Sequence, residues 1–583
     1  MKFGQLLLIA LGLSLVGCQG DKTLSDSGQR PPNIVLIMTD DQGYGDLGFT
    51  GNPYISTPNI DKFAEQSTHF TNFYVDPVCA PTRSALMTGK FYLRTGIYDT
   101  FNGGAIMDPE EVTIAEILAS NGYQTGIFGK WHLGDTYPSR PGDQGFTQSL
   151  IHKAGGIGQV GDLENFHRPD SSYFDPVLHQ NNKAIKTQGY CTDVFTNGAL
   201  AFIDINKEKP FFVYLAYNAP HGPLQVPEKY LENYKDLSFS PTLNKREEDA
   251  ARRVYAMVEN VDENVGRILQ YLKENALLEN TVVIFMSDNG PIPARYNAGL
   301  RSTKGTVYEG GIKVPFFIHY PELFESGKKI NTTTAHIDIL PTLLDICGLE
   351  SEIPEEIDGK SMLPILKGEE AWFKNRFLYW QWGRGYPELY QNIAIRQGDY
   401  KLVGHAERNA NINDFELFNI AEDPFEKNNI VANEGEKANT LKNQLDAWYH
   451  KIVIEEGNPK PQGIVVNPEF ENPVYLSRND AKGTPEQWTK DDVYSYWDVE
   501  FEKPGYYDIT FTFHQKPERE GRVVIKMVPQ TYSKFNSDTT LTEIVLEDCY
   551  FKKGRNMLEA YYRTGFGEII SPFSLSIEKI GSK

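Results

Sequence analysis

Cys79 stands in the run Cys79-Ala80-Pro81-Thr82-Arg83, which continues as Ser84-Ala85-Leu86-Met87-Thr88-Gly89. Pro81 suits the first turn of a helix, so Cys79 falls at a helix N-terminus. Free N–H groups and the helix dipole stabilise an anion there. Arg83, one turn later, faces the same side. On residue types alone, Cys79 is either a thiol nucleophile of depressed pKa or a structural cysteine. A second group, Asp40, Asp41, Asp288 and Asn289, offers only oxygen donors. Such a set suits Ca²⁺ or Mg²⁺ rather than zinc. The same residues would equally cap a helix and make a turn. His132 and His221 have the chemistry of a general acid and base and also that of satisfied core histidines. Arg83, Lys130 and Lys304 would stabilise an anion or lie on the surface.

The elements that must position these residues are apolar, β-branched runs alternating with helical patterns, the mark of an α/β fold with a largely parallel buried sheet. The runs are Asn33-Ile34-Val35-Leu36-Ile37-Met38, Thr281-Val282-Val283-Ile284-Phe285-Met286, Pro210-Phe211-Phe212-Val213-Tyr214-Leu215 and the weaker Thr125-Gly126-Ile127-Phe128. A helix over Val254 to Leu272 carries Met257, Val258, Val261, Val265, Ile268 and Leu269 at helical spacing. The four strands run respectively into Asp40-Asp41, Ser287-Asp288-Asn289-Gly290, Ala219-Pro220-His221-Gly222-Pro223 and Lys130-Trp131-His132. In open α/β sheets the ligand crevice lies at the carboxyl ends of the strands. The four clusters are therefore expected on one edge.

Beyond about residue 370 short antiparallel strands are expected at Phe377 to Tyr379, Ile393 to Arg396 and Tyr400 to Val403, with a helix from Glu434 to Ile452. The expected organisation is a catalytic unit over 31–370, a small antiparallel α+β subdomain over 371–455, a linker over 456–472 and an all-β sandwich over 473–583. Strands are expected at Tyr494 to Phe501 and Tyr507 to Phe513, separated by the turn Pro504-Gly505. Trp488, Trp497 and Tyr506 are either glycan-stacking platforms or core aromatics.

Composition is that of a globular chain of 583 residues, with 50 glycines and 34 prolines dispersed along it. Lysine plus arginine total 57 and aspartate plus glutamate 78, for a net charge of -21. That balance argues against nucleic-acid binding, and an anionic substrate would need basic groups gathered locally. Met1-Lys2 and the apolar run Leu6 to Val16 suit a secretion signal and are too short to span a bilayer. Leu15-Val16-Gly17-Cys18 resembles a bacterial lipobox, which implies a signal over 1–17, lipidation and palmitoylation of Cys18, a flexible tether over 18–30, the lipoprotein processing machinery as a partner, and anchorage to a bacterial membrane. The five cysteines are Cys18, Cys79, Cys191, Cys347 and Cys549. They form no CxxC pair and do not read as a disulfide framework.

Cys79-x-Pro81-x-Arg83, continuing to Thr88-Gly89, is similar to the maturation signature of the type I, formylglycine-dependent sulfatases of the alkaline-phosphatase superfamily. Gly122-Tyr123-Gln124-Thr125 leading to Gly129-Lys130-Trp131-His132 resembles a second signature of that family. Asn33 to Asp41, Ser287 to Gly290, Lys304-Gly305, Glu309-Gly310-Gly311, Val314-Pro315, Asp399-Tyr400-Lys401-Leu402 and Asp423-Pro424 also match in order and spacing. The likeness covers about residues 31 to 450. Arg301-Ser302-Thr303 stands where the family often has glycines before the lysine, and Lys304 itself is retained.

The resemblance implies an alkaline-phosphatase-like fold and a sulfuric ester hydrolase. It implies that Asp40, Asp41, Asp288 and Asn289, with residue 79, hold one Ca²⁺. Cys79, oxidised to formylglycine (3-oxoalanine) by a maturation enzyme, would present two geminal hydroxyls: one attacks sulfur, and the other, on losing its proton, collapses to the aldehyde and expels sulfate. Arg83, Lys130 and Lys304 would disperse charge on the transferring sulfate. His221, with Lys304, would protonate the departing alcohol, and His132 would take the proton from the second hydroxyl. The expected substrate is a sulfated poly- or oligosaccharide, with ulvan, carrageenan and glycosaminoglycans all open. A phosphate or phosphonate monoester hydrolase of the same superfamily is the alternative, and a non-catalytic glycan-binding lipoprotein a third reading. His152, Lys153, His167, Arg168, Arg295, Arg301, Trp380, Trp382, Arg384 and His405 are further residues that would read the substrate or serve as loop structure.

Overall fold

The computed structural model describes residues 30–239, 243–484 and 490–581. The signal segment, Cys18 and Trp488 lie outside the described residues.

The strand Asn33–Thr39 is buried along its whole length. A run this apolar needs cover on both faces, and alternation supplies it. Ile34, Leu36 and Met38 enter one core with Leu86, Leu118 and Leu343. Val35 and Ile37 enter another with Phe195, Tyr255, Val261 and Ile268. The helices Cys79–Thr88, Ile114–Ser120 and Ile339–Ile346 supply the first core. Cys191–Asn206 and the 30-residue helix Lys245–Glu274 supply the second. The long helix starts at a capping box in which the Asn244 side chain accepts from the Glu247 N–H and the Glu247 carboxylate accepts from the Asn244 N–H.

The main sheet has ten strands in the order Lys329–Ile330, Thr68–Phe70, Phe316–His319, Thr281–Ser287, Asn33–Thr39, Phe211–Ala216, Gln124–Lys130, Gln148–His152, Val177–Gln180, Lys183–Lys186. Its five central strands are mutually parallel, and Phe316–His319 and Val177–Gln180 run antiparallel to their inner neighbours. Register then fixes the functional edge. Thr39 lies opposite Ser287, Met38 and Gly129 opposite Ala216, and Lys130 opposite His152. All five central strands thus end together.

Phe377–Gln381, Ile393–Gln397, Tyr400–Gly404 and Phe415–Asn419 form a four-stranded antiparallel sheet. Helix Gly435–Tyr449 packs on it through Leu441 and Leu445. The fourth strand escaped the sequence reading, although Phe415 and Leu417 carry the inward positions that alternation predicts.

Among the described residues the C-terminal part is two packed sheets, one of seven strands and one of four. In Ser495–Phe501 inward residues are buried and outward ones half-buried in strict alternation. One expectation needs correction, and one alternative is decided. The stretch 456–472, expected as a linker, contains strand Ile464–Val466, which pairs in parallel with Ser495–Phe501. Ile464 and Val466 are core residues, so the segment is tied down by burial. Trp497 is a core residue as well. Its indole N–H donates to the Ser477 carbonyl at 2.7 Å, and it offers no platform to a glycan. Tyr506 is partly exposed and lies against Tyr550. The sandwich also packs on the catalytic unit: Ile106 sits in its core, Tyr137 stacks on Phe470 at 4.4 Å, and Phe166 meets Phe573 at 4.5 Å. No helix among the described residues is long and apolar enough to cross a membrane.

Candidate active site

Helix Cys79–Thr88 begins at Cys79, with Val78 as its extended N-cap. Pro81 falls in the first turn, where its missing N–H leaves no broken bond. The turn closes through the Thr82 N–H to the Val78 carbonyl. The start is held from outside as well, because the Asp76 N–H donates to the Thr82 hydroxyl at 3.0 Å. The Cys79 thiol therefore faces the sheet edge and lies 3.4 Å from His132 Nδ1.

His132 sits just past Lys130, at a backbone φ of 61°. That left-handed conformation is uncommon for a residue with a side chain and costs of order 1–3 kcal/mol. It turns the ring back toward Cys79. The opposite nitrogen, Nε2, lies 2.8 Å from the Thr100 carbonyl. A carbonyl only accepts, so Nε2 carries the proton and Nδ1 presents its lone pair to residue 79. Burial, then the nearby Lys130 and Arg83 charges, hold the ring well below the usual histidine pKa. That environment favours the neutral ring, with the Nδ1 lone pair free to face residue 79.

Behind Cys79 lies a buried charge network. The Arg83 guanidinium donates through Nη2 and Nε to Asp288 Oδ2 at 2.7 and 3.2 Å, and through Nη1 to the Lys130 carbonyl at 2.9 Å. Lys130 Nζ donates to Asp40 Oδ2 at 2.6 Å. Arg83, Lys130, Asp40 and Asp288 are fully buried. Lys304 Nζ reaches Asp41 Oδ1 at 2.5 Å. Burial opposes the Lys304 charge, but Asp41 and then Cys79, Asp40 and Asp288 outweigh it and raise the pKa above the ordinary lysine value. Burial also works against the Asp41 carboxylate, yet Lys304 and His221 keep it below the usual range. Asp288 is pushed up to about 6 by burial and the neighbouring Asp40, against Arg83 and Lys130.

His221 Nε2 lies 3.8 Å from Asp41 Oδ2, and its Nδ1 2.7 Å from the Gly222 carbonyl. Burial lowers it to about 4, partly offset by Asp41. The oxygen-donor residues fit a hard cation. Asp40 Oδ1 and Asn289 Oδ1 are buried and have no hydrogen-bond partner, an expensive state that a cation would relieve. Donor atoms of Asp40, Asp41 and His221 lie within 4.8 Å of one another. The Asn289 amide donates to Asp41 Oδ1 at 2.8 Å, which turns its own carbonyl oxygen away as a free donor.

All ten residues expected at the site within the described chain are thus brought together: Asp40, Asp41, Cys79, Arg83, Lys130, His132, His221, Asp288, Asn289 and Lys304. The further substrate-contact candidates separate. Arg295 is buried and grips Asp46 and the Asp41 carbonyl, so it shapes the acidic loop. Trp380 donates to the Val75 carbonyl from the core, and Trp382 is buried beside Gly305. His152 is buried, Lys153 lies over the Tyr475 ring, and Arg168 donates to the carbonyls of Ser171, Phe174 and Asp175. His167 stacks on His514, Arg301 pairs with Glu416, and His405 lies beside Tyr308. Arg384 is exposed and donates to Asp99 Oδ1 and the Thr100 hydroxyl, next to the carbonyl that holds His132. Sequence reading missed Thr100, because a backbone acceptor has no side-chain signature. It also missed Asp46, although an acid six residues after Asp40 with an arginine near Asp288 was a usable signal.

The mixed sheet with helices on both faces, carrying its polar cluster at the strand ends, defines an alkaline-phosphatase-like hydrolase. The family model described as Sulfatase matches residues 32–349, and that described as N-sulphoglucosamine sulphohydrolase, C-terminal, matches 302–451. An ulvan-active sulfatase of Formosa agariphila is 30% identical over 474 residues, covering 78% of this chain and 87% of that protein. Human arylsulfatase A is 34% identical over 402 residues, covering 64% and 74% respectively. The solved structure of Ps i-CgsB in complex with k-i-k-neocarrahexaose superposes with a TM-score of 0.63 at 32% identity, covering 72% of this chain and 93% of that one. The chain belongs to the sulfatase family and is a sulfuric ester hydrolase.

Proposed function

We propose that this chain removes sulfate from a sulfated poly- or oligosaccharide with residue 79, matured from cysteine to formylglycine, as nucleophile. The observation that carries the reading is the geometry around Cys79: its side chain starts a helix and faces the lone pair of a neutral His132 at 3.4 Å. The carbohydrate substrate is supported by the relatives, one named for ulvan and one solved with a neocarrahexaose.

The residues divide the work by position. His132 Nδ1 accepts a proton from a residue-79 hydroxyl, and the Thr100 carbonyl fixes the tautomer that permits this. His221, at the mouth and partly open to solvent, donates a proton to the departing sugar oxygen. An anionic sulfate bound beside it favours its protonated form. Arg83, Lys130 and Lys304 place three positive charges around the transferring group, each worth about 3 kcal/mol in transition-state stabilisation. Asp40, Asp41, Asp288 and Asn289, with residue 79, would hold one Ca²⁺. Bound there, the ion supplies Lewis-acid charge to a sulfate oxygen. Formylglycine, when present and hydrated, supplies a second hydroxyl, which an ordinary serine lacks.

The chain is further proposed to be exported and lipid-anchored through Cys18, with its maturation depending on a formylglycine-generating enzyme of the host. The decisive measurement is the mass of the peptide containing residue 79, expected to be about 18 Da below the cysteine form. Cys79→Ala should abolish aryl sulfate turnover with the fold intact by circular dichroism. Cys79→Ser should stop after one transfer and retain sulfate covalently. Sustained turnover by that variant would rule out the two-hydroxyl account.

A further inference from the structure

We propose that the C-terminal sandwich completes the catalytic site, and that Asp480 is a positioning residue for His132. The proposal rests on the reading of His132 as the base. Two loops hold the His132 ring, and one turn of the sandwich braces both. The first loop, 99–104, supplies the Thr100 carbonyl that takes the Nε2 proton at 2.8 Å. Two residues on, the Asn102 N–H donates to the Asn479 carbonyl of the sandwich at 2.7 Å. Gly103 is close enough that a Cβ there would lie 2.9 Å from the Lys482 side chain and 3.1 Å from the Asp480 carbonyl. The second loop, 153–161, lies against the ring edge. A Cβ on Gly155 would stand 2.9 Å from His132 Cε1, and one on Gly161 2.8 Å from Asn479 Cβ.

The bracing turn, 477–481, is itself closed by side chains. The Ser477 hydroxyl donates to Asp480 Oδ2 at 2.9 Å, and the Asp480 N–H returns to the Ser477 carbonyl at 3.2 Å. That carbonyl also takes the Trp497 indole N–H at 2.7 Å, which anchors the turn to the sandwich core. Ile106, five residues past Asn102's neighbour Phe101, is buried in the same core. Loop 99–104 is therefore pinned by the sandwich on one side and holds the histidine on the other. An appendage serving only to retain glycan would need none of these contacts.

The test uses the full chain and a small aryl sulfate, too short to reach a glycan site on the sandwich. kcat is normalised to the matured fraction at residue 79, read by peptide mass. Asp480→Ala removes the closure of the turn and is expected to lower kcat about tenfold or more, since small displacements of a catalytic group are costly. KM should change little, and the variant should remain folded by circular dichroism. Asp480→Asn keeps an acceptor for Ser477 and should restore most of kcat. Gly103→Ala strains the contact from the other side, at a backbone φ of 70°, and should also lower kcat. Wild-type kcat in both Asp480→Ala and Gly103→Ala, or an effect on KM alone, overturns the proposal. His132→Gln is measured beside them: if it retains turnover, the base assignment fails instead.

Discussion

At the residue scale the site is a concentration of buried charge that would be unfavourable without compensation. Arg83, Lys130, Asp40 and Asp288 are all fully buried, and each buried ion costs several kcal/mol unless paired. The pairs are made: Arg83 to Asp288 and Lys130 to Asp40. What remains unpaired among these donors are Asp40 Oδ1 and Asn289 Oδ1, acceptors that a cation would satisfy. A chelator is therefore expected to abolish turnover and lower Tm. Ca²⁺ at a thousandfold excess over its Kd should restore about 4 kcal/mol of stability. Full activity and unchanged Tm after exhaustive chelation would remove the ion from the site. His132→Gln should lower kcat by about 100- to 10,000-fold with Tm nearly unchanged, because the ring lies at the functional edge and supports no core.

At the element scale, parallel register puts the chemistry in one place. Thr39 faces Ser287 and Lys130 faces His152, so residues more than 200 positions apart end on a common edge. A slip of any central strand would move its polar terminus by a full residue and turn its side chains over. The second element-scale feature is the acidic seam between sandwich and catalytic unit. Burial, followed by the nearby Asp480, raises Asp135 above the ordinary carboxylate range, and burial likewise raises Asp480. Burial also pushes Asp162 up to about 7. A carboxyl whose folded pKa is raised binds protons more tightly in the native state. Its stability penalty is fully present above the folded pKa and is relieved as pH falls toward the unfolded value. Asp135→Asn keeps an acceptor for the Ala154 N–H, which donates to Asp135 Oδ2 at 2.8 Å. It is expected to raise stability by about 1–3 kcal/mol at pH 8 and to give little gain at pH 4. Denaturant unfolding of both proteins across that range checks this, and an equal gain at both pH values would contradict it.

At the scale of the whole molecule, a net charge of -21 coexists with the cations Arg83, Lys130 and Lys304 gathered at the strand-end cluster beside Cys79. Encounter with a polyanion is governed by the long-range field and transfer by the local one. Raising ionic strength is therefore expected to lower KM for a highly sulfated polymer more than for a small aryl sulfate. A KM that rises for the polymer under added salt would show that the basic groups dominate even at a distance. Much of this molecule was legible in the chain. The β-branched runs determined four of the five central strands, Gln148–His152 having escaped them, and the polar residues after each run determined the strand-end cluster. Pro81 after Cys79 marked the helix start, and the all-oxygen character of Asp40, Asp41, Asp288 and Asn289 marked a donor set suited to a hard cation. These are local properties, written in residue type and spacing. The tertiary structure alone decided that Thr100 offers its carbonyl to His132, that Arg295 serves Asp46, that Trp497 lies in a core and that residues 464–466 form a strand. It alone set the turn 477–481 against the loops beside the active site. A backbone carbonyl looks the same at every residue, and a contact between segments hundreds of residues apart exists only once packing has chosen which surfaces meet.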